Sequence, residues 1–127
     1  MSKTHQQYIG SWGETVAGFF LESRGYQVLA RNVRTPHGEI DLVTRQKKDG
    51  ELVFVEVKTR TNGSLGLPEE AVDLKKLEHL LLAAEAYLQA HPDQSALAWR
   101  IDIVAIQGKP GSKVEDVDIQ HFENVSA

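Results

Sequence analysis

The chain has 127 residues, the size of one ordinary domain, with 41% hydrophobic and 25% charged residues, a balance that excludes a disordered or fibrous protein. It has no cysteine, which excludes disulfides, thiolate zinc sites and a cysteine nucleophile, and no apolar run approaches the roughly 20 residues that span a membrane. The net charge of −4 argues against tight non-specific binding to a polyanion, but residues 1–60 carry nine Lys/Arg against seven Asp/Glu, and residues 61–127 five against eleven.

Residues 1–7 lack the apolar stretch of a signal peptide, so a cytoplasmic location is expected. Residues 6–24 read as a helix, with Trp12, Val16, Phe19 and Phe20 at helical spacing and Gly25 as its stop. A strand over 26–34 follows, closed by the turn Pro36-His37-Gly38. Strands over 39–45 and 51–59 are joined by a short polar turn ending in Gly50, which favours an antiparallel hairpin. The second is apolar on both faces at Leu52–Val55, as a central strand must be. Residues 59–68, with Gly63, Gly66 and Pro68, read as a loop. A long amphipathic helix follows over 69–91, burying Val72, Leu77, Leu80, Leu81, Ala84 and Leu88. A strand over 99–106 and an edge strand over 117–122 complete a single α/β domain, a sandwich around a mixed sheet. No repeat, low-complexity tract or linker divides it.

Polar residues on a buried strand need a reason. Glu56 and Lys58 follow the apolar run and, by strand alternation, share a face about 6.6–6.8 Å apart along the backbone. Asp41 interrupts an otherwise apolar stretch of the preceding strand, and hairpin pairing would bring it toward Glu56. Two carboxylates with a nearby backbone carbonyl suit a hard cation such as Mg²⁺, which prefers oxygen ligands. Such an ion supplies Lewis acidity to a phosphoryl group, while Lys58 could orient water or stabilise developing charge.

Asp41 followed, after fourteen intervening residues, by Glu56-Val57-Lys58 resembles the core of the PD-(D/E)xK nuclease superfamily. The wider set resembles one branch, the YraN-like proteins, which are similar to archaeal Holliday-junction resolvases. That set includes Gly13-Glu14 and Ala17, Gly25-Tyr26, Arg31-Asn32, the run Gly38-Glu39-Ile40-Asp41-Leu42-Val43 and the run Val53-Phe54-Val55-Glu56-Val57-Lys58-Thr59-Arg60. It continues through Gly66, Lys76 and Arg100-Ile101-Asp102-Ile103-Val104, and covers roughly residues 10–107. Ile40 stands where the superfamily pattern has proline, and Leu65 where an aromatic residue often precedes the glycine.

The resemblance implies a restriction-endonuclease-like fold and a Mg²⁺-dependent endonuclease, with Mn²⁺ as a substitute ion, acting on DNA that is branched or otherwise structured. It implies Asp41 and Glu56 as metal ligands, Lys58 as the catalytic lysine and Glu14 as an additional acid. Lys76 falls at a basic position near the site, Arg60 could grip a phosphate, and a two-fold dimer would suit a symmetric junction. The rival function is a catalytically silent nuclease-fold module that binds DNA or a repair partner. The rival for the triad is a strand-end ion pair, worth only ~0–1 kcal/mol. Arg100 and Asp102 read as a structural ion pair, Trp12 and Trp99 as core, and the five histidines show no ligand-like spacing.

Overall fold

The computed structural model describes residues 4–61 and 73–126. The expected loop positions Asn62, Gly63, Leu65, Gly66 and Pro68, and residues 69–72 of the expected helix, Val72 included, lie outside the described residues. Helix α1 (His5–Ser23) starts at a capping box: Thr4 Oγ1 accepts from the Gln7 backbone N–H, and the Gln7 side chain accepts from that of Thr4. It ends where Gly25 takes a φ of 90°, a left-handed conformation that glycine adopts without steric cost.

Strands β1 (Tyr26–Thr35), β2 (Gly38–Gln46) and β3 (Leu52–Arg60) come next, then α2 (Leu74–Ala90), β4 (Trp99–Gln107) and β5 (Asp118–Phe122). A 3₁₀ turn at Val114–Asp116, which periodicity did not signal, leads into β5. Helix α2 begins at the cap Asp73, whose carboxylate accepts from the Lys76 N–H at 2.7 Å.

The strands lie in sequence order, β1-β2-β3-β4-β5, and every pair is antiparallel except β3–β4. Parallel neighbours need a crossover, and α2 is part of it. The α/β sandwich around a mixed sheet, expected from the sequence, is the arrangement observed. Strand β3 shows why the centre is buried on both sides. Leu52 and Phe54 pack with Leu80, Ala84 and Tyr87 of α2, while Val53 and Val55 pack with Ala17 and Leu21 of α1.

The helix faces differ in part from expectation. Phe19 is 67% exposed, because the buried stripe of α1 is Gly13, Ala17, Gly18 and Leu21, with Trp12, Val16 and Phe20 half-buried at its margins. Small residues bring the helix close to the sheet, which turns Phe19 outward. On α2, Ala83 and Tyr87 join the buried set, while Leu77 and Leu81 sit at its edge. Trp12 and Trp99 also border the core rather than fill it.

Helix α1 comes close to β3 at Gly13, where a Cβ would run into the Oγ1 of Thr59. Threonine is stiff at χ1 and cannot move aside cheaply. Gly13→Ala is therefore expected to destabilise by about 1–3 kcal/mol, despite alanine's better helix propensity. At Gly10 a Cβ would meet nothing within 4 Å, so Gly10→Ala should gain up to about 1 kcal/mol. Urea unfolding of the two variants reads the opposite signs.

Candidate active site

Pairing between β2 and β3 ends at Leu42↔Val55. Beyond it the strands part, and the Asp41 side chain takes over from the ladder: its Oδ2 accepts from the backbone N–H of Val57 at 2.8 Å. Asp41 is thus held at the fork, half-buried. Glu56 is two residues beyond Phe54 on β3 and only 6% exposed.

A cleft of about 520 Å³ opens at this fork, between the first half of α1 and the end of β3. Glu14, Asp41, Glu56 and Arg60 line it, together with Ile9 and Gly10 of the helix. Three of the expected acids, from three different elements, therefore share one hollow. Lys58 is half-buried near the end of β3, and its charge favours the ionised forms of both Asp41 and Glu56. Lys76 approaches from α2, with Nζ 3.4 Å from Glu56 Oε1. Arg60 is exposed, and its guanidinium donates to the backbone carbonyl of Thr59 at 3.1 Å.

Burial dominates the electrostatics. It pushes the Glu56 carboxyl up to about 7; Asp41 beside it adds to the rise, and Lys76 and Lys58 oppose it. Burial also raises Asp41, against the hydrogen bond from Val57 and the charge of Lys76. Glu56 Oε2 is buried and accepts no hydrogen bond among the described residues. A lone carboxylate oxygen in that position is costly unless a cation or proton meets it.

Asn32 joins the group from β1. With its amide turned so that nitrogen faces the acids, it donates to Glu14 Oε1 at 2.8 Å and to Glu39 Oε1 at 3.2 Å. Arg31-Asn32 belongs to the family resemblance, but the resemblance implies no role for it. A usable signal was present, since asparagine is depleted in strands and tolerates positive φ.

A second charged group lies toward the other end of the sheet. Arg100 Nε donates to Asp102 Oδ1 at 2.9 Å, the ion pair expected from sequence, and its Nη1 donates to Glu51 at 2.7 Å. Asp102, His121 and Glu123 hold their ligand atoms within 4.8 Å of one another, which spacing along the chain did not suggest. Those are donor types a metal takes. Arg100 already occupies the place, however, and Asp102 is saturated by Arg100, by His121 at 2.7 Å and by the N–H of Asn124 at 2.9 Å. Burial raises the Asp102 carboxyl, but these hydrogen bonds outweigh it and hold it below its ordinary value. The fork differs from this group in that one buried carboxylate oxygen, Glu56 Oε2, has no hydrogen-bond partner among the described residues.

Fold and fork together define an α/β protein with an acid-lined cleft where a central sheet divides. Residues 13–106 match the uncharacterised protein family UPF0102, the YraN family, and the chain belongs to it. The UPF0102 protein of Roseiflexus castenholzii is 47% identical over 114 residues, 90% of this chain and 89% of its own. That of Syntrophotalea carbinolica is 40% identical over 90% of this chain and 87% of its own. Among solved structures, a repair endonuclease from Pyrococcus abyssi aligns with 87% of this chain at 18% identity and a TM-score of 0.47. This chain spans 41% of that one. Among the described residues no helix is long and apolar enough to cross a membrane.

The raised Glu56 carboxyl has a sign that can be measured. The folded chain keeps this proton to about pH 7, whereas the ordinary value is 4.5. Folding is therefore favoured below that window, and the metal-free protein loses stability as pH rises through it, by up to roughly 3 kcal/mol. In EDTA, urea midpoints should show Glu56→Gln more stable than the parent at pH 8, with the gap shrinking toward pH 5. A gap that does not change with pH would contradict this origin.

Proposed function

We propose that this protein is a metal-dependent DNA endonuclease, with Asp41 and Glu56 as ligands of a divalent cation and Lys58 as the catalytic lysine. The buried Oε2 of Glu56 beside Asp41, without a hydrogen-bond partner among the described residues, carries the reading. The donor set is all oxygen, which suits Mg²⁺, with Mn²⁺ as a substitute. Such an ion supplies Lewis acidity toward a phosphoryl oxygen and makes water more acidic.

The chain's own groups do the rest. Asp41 is oriented in advance, because the N–H of Val57 fixes its carboxylate. Lys58 orients the attacking water and offsets negative charge building on the phosphate during in-line displacement. Glu14 adds a third acid from α1. Without a cation, the ammonium of Lys76 pairs with Glu56 Oε1 and offsets part of its charge; with one bound, that lysine would be free to meet a phosphate, as would Arg60 on the cleft wall. Branched or otherwise structured DNA is the substrate class implied by the resemblance to junction resolvases, and a symmetric pair of chains would serve a two-fold junction. Weak binding by a single chain fits the net charge of −4.

The test is cleavage of single-stranded, duplex, flapped and four-way-junction DNA with Mg²⁺ or Mn²⁺ and with EDTA. Asp41→Ala and Lys58→Ala should each lower the rate by at least ~100-fold, and EDTA should abolish cleavage. Activity that ignores EDTA and survives both substitutions would sink the mechanism. Metal-independent DNA binding without cleavage would instead identify a silent nuclease-fold module.

A further inference from the structure

The strand opposite Asp41 carries an unusual residue. Asn32 has a φ of 52°, left-handed, in the middle of β1 and between the pairs Arg31↔Leu42 and Val33↔Ile40. In a regular strand, residues three apart point to opposite faces. Here Ala30 and Val33 both pack against the core shared with α2, and so do Ile40 and Val43. Both strands thus change phase around Asn32 and Asp41, beside the point where β2 leaves β3. Asn32 is exposed, so core packing does not account for it.

Its side chain explains more. The amide bridges Glu14 of α1 and Glu39 of β2, and Glu14 lines both the catalytic cleft and the neighbouring hollow that Asn32 and Glu39 border. We infer that Asn32 is a positioning residue for the proposed cation centre: its left-handed backbone sets the phase change at Asp41, and its amide tethers the Glu14 carboxylate at the cleft. This rests on the metal-site reading above. The amide stands between two acids, 2.8 Å from Glu14 and 3.2 Å from Glu39, that would otherwise repel each other. The neutral donor holds the acid in place without cancelling its charge, as a lysine would, so the field at the cation stays attractive.

Isothermal titration of the full chain with Mn²⁺ alone tests this. Asn32→Gly keeps the left-handed φ and removes only the amide, at an exposed position where folding is not at risk; its melting temperature is the control. The variant should bind Mn²⁺ five- to tenfold more weakly while melting within a few degrees of the parent. Because Asn32 acts through Glu14, the double variant Asn32→Gly with Glu14→Gln should bind no more weakly than Glu14→Gln alone. Glu39→Gln, which leaves the tether in place, should stay within twofold of the parent.

Unchanged affinity in Asn32→Gly overturns the inference. So do losses that multiply fully in the double variant, or a loss in Glu39→Gln as large as that in Asn32→Gly. A parent chain that does not bind Mn²⁺ overturns the metal reading itself and this inference with it. Parent binding with an indifferent Asn32→Gly overturns this inference alone.

Discussion

The cleft depends on one substitution of partners in the sheet: at the end of the β2–β3 ladder, the carboxylate of Asp41 accepts the N–H of Val57. A central strand cannot leave its backbone donors bare inside a protein. Had another backbone carbonyl met that N–H, the two strands would have stayed closed and Glu56 would have been sealed into the interior. A side-chain acceptor allows the strands to part, and it also fixes the orientation of the acid. The same contact therefore satisfies the sheet and builds the site. It has an electrostatic consequence, since two carboxylates now stand together in a half-dry cleft. Burial raises both, Asp41 adds to the rise at Glu56 and Glu39 to that at Asp41, and two lysines supply only part of the compensation.

The two charged clusters show how saturation separates structure from function. Around Asp102 every lone pair has a donor, two of them from a guanidinium that also reaches Glu51 and Tyr26. That group ties β4, β5 and the end of the hairpin together, and Tyr26 and Phe20 pack edge-on against His121. Breaking such a buried network strands charge, which is why it holds the strands so firmly. Around Glu56 one oxygen is left without a donor among the described residues. Protein folding tolerates few such omissions, and they gather where a ligand completes the set.

Much of this was legible in the order of residues. The helices, the β2–β3 hairpin and the central position of β3 followed from periodicity, glycine placement and the apolar run Leu52–Val55, because those signals reflect local backbone preference and two-sided burial. Asp41, Glu56 and Lys58 stood out because ionisable groups beside such a run need a partner. Phe19 shares the helical spacing of Trp12, Val16 and Phe20 yet is exposed, since helical spacing alone does not say which stripe the sheet will accept. The answer depended on Gly13 and Gly18, whose missing side chains let the sheet come close. His121 and Glu123 gave no signal through spacing; their meeting with Asp102 is made by antiparallel pairing of β4 with β5.

The sequence by itself determined the alternation of elements, the acids available at the strand ends and the absence of any thiol chemistry, because these are properties of composition and of neighbours along the chain. Only the tertiary structure decided that β2 and β3 would part at Asp41, that Asn32 of β1 would reach Glu14, and that Glu56 would keep one oxygen without a partner among the described residues. Each of those outcomes depends on which backbone groups find partners across strands, and that pairing is settled only when distant segments pack together.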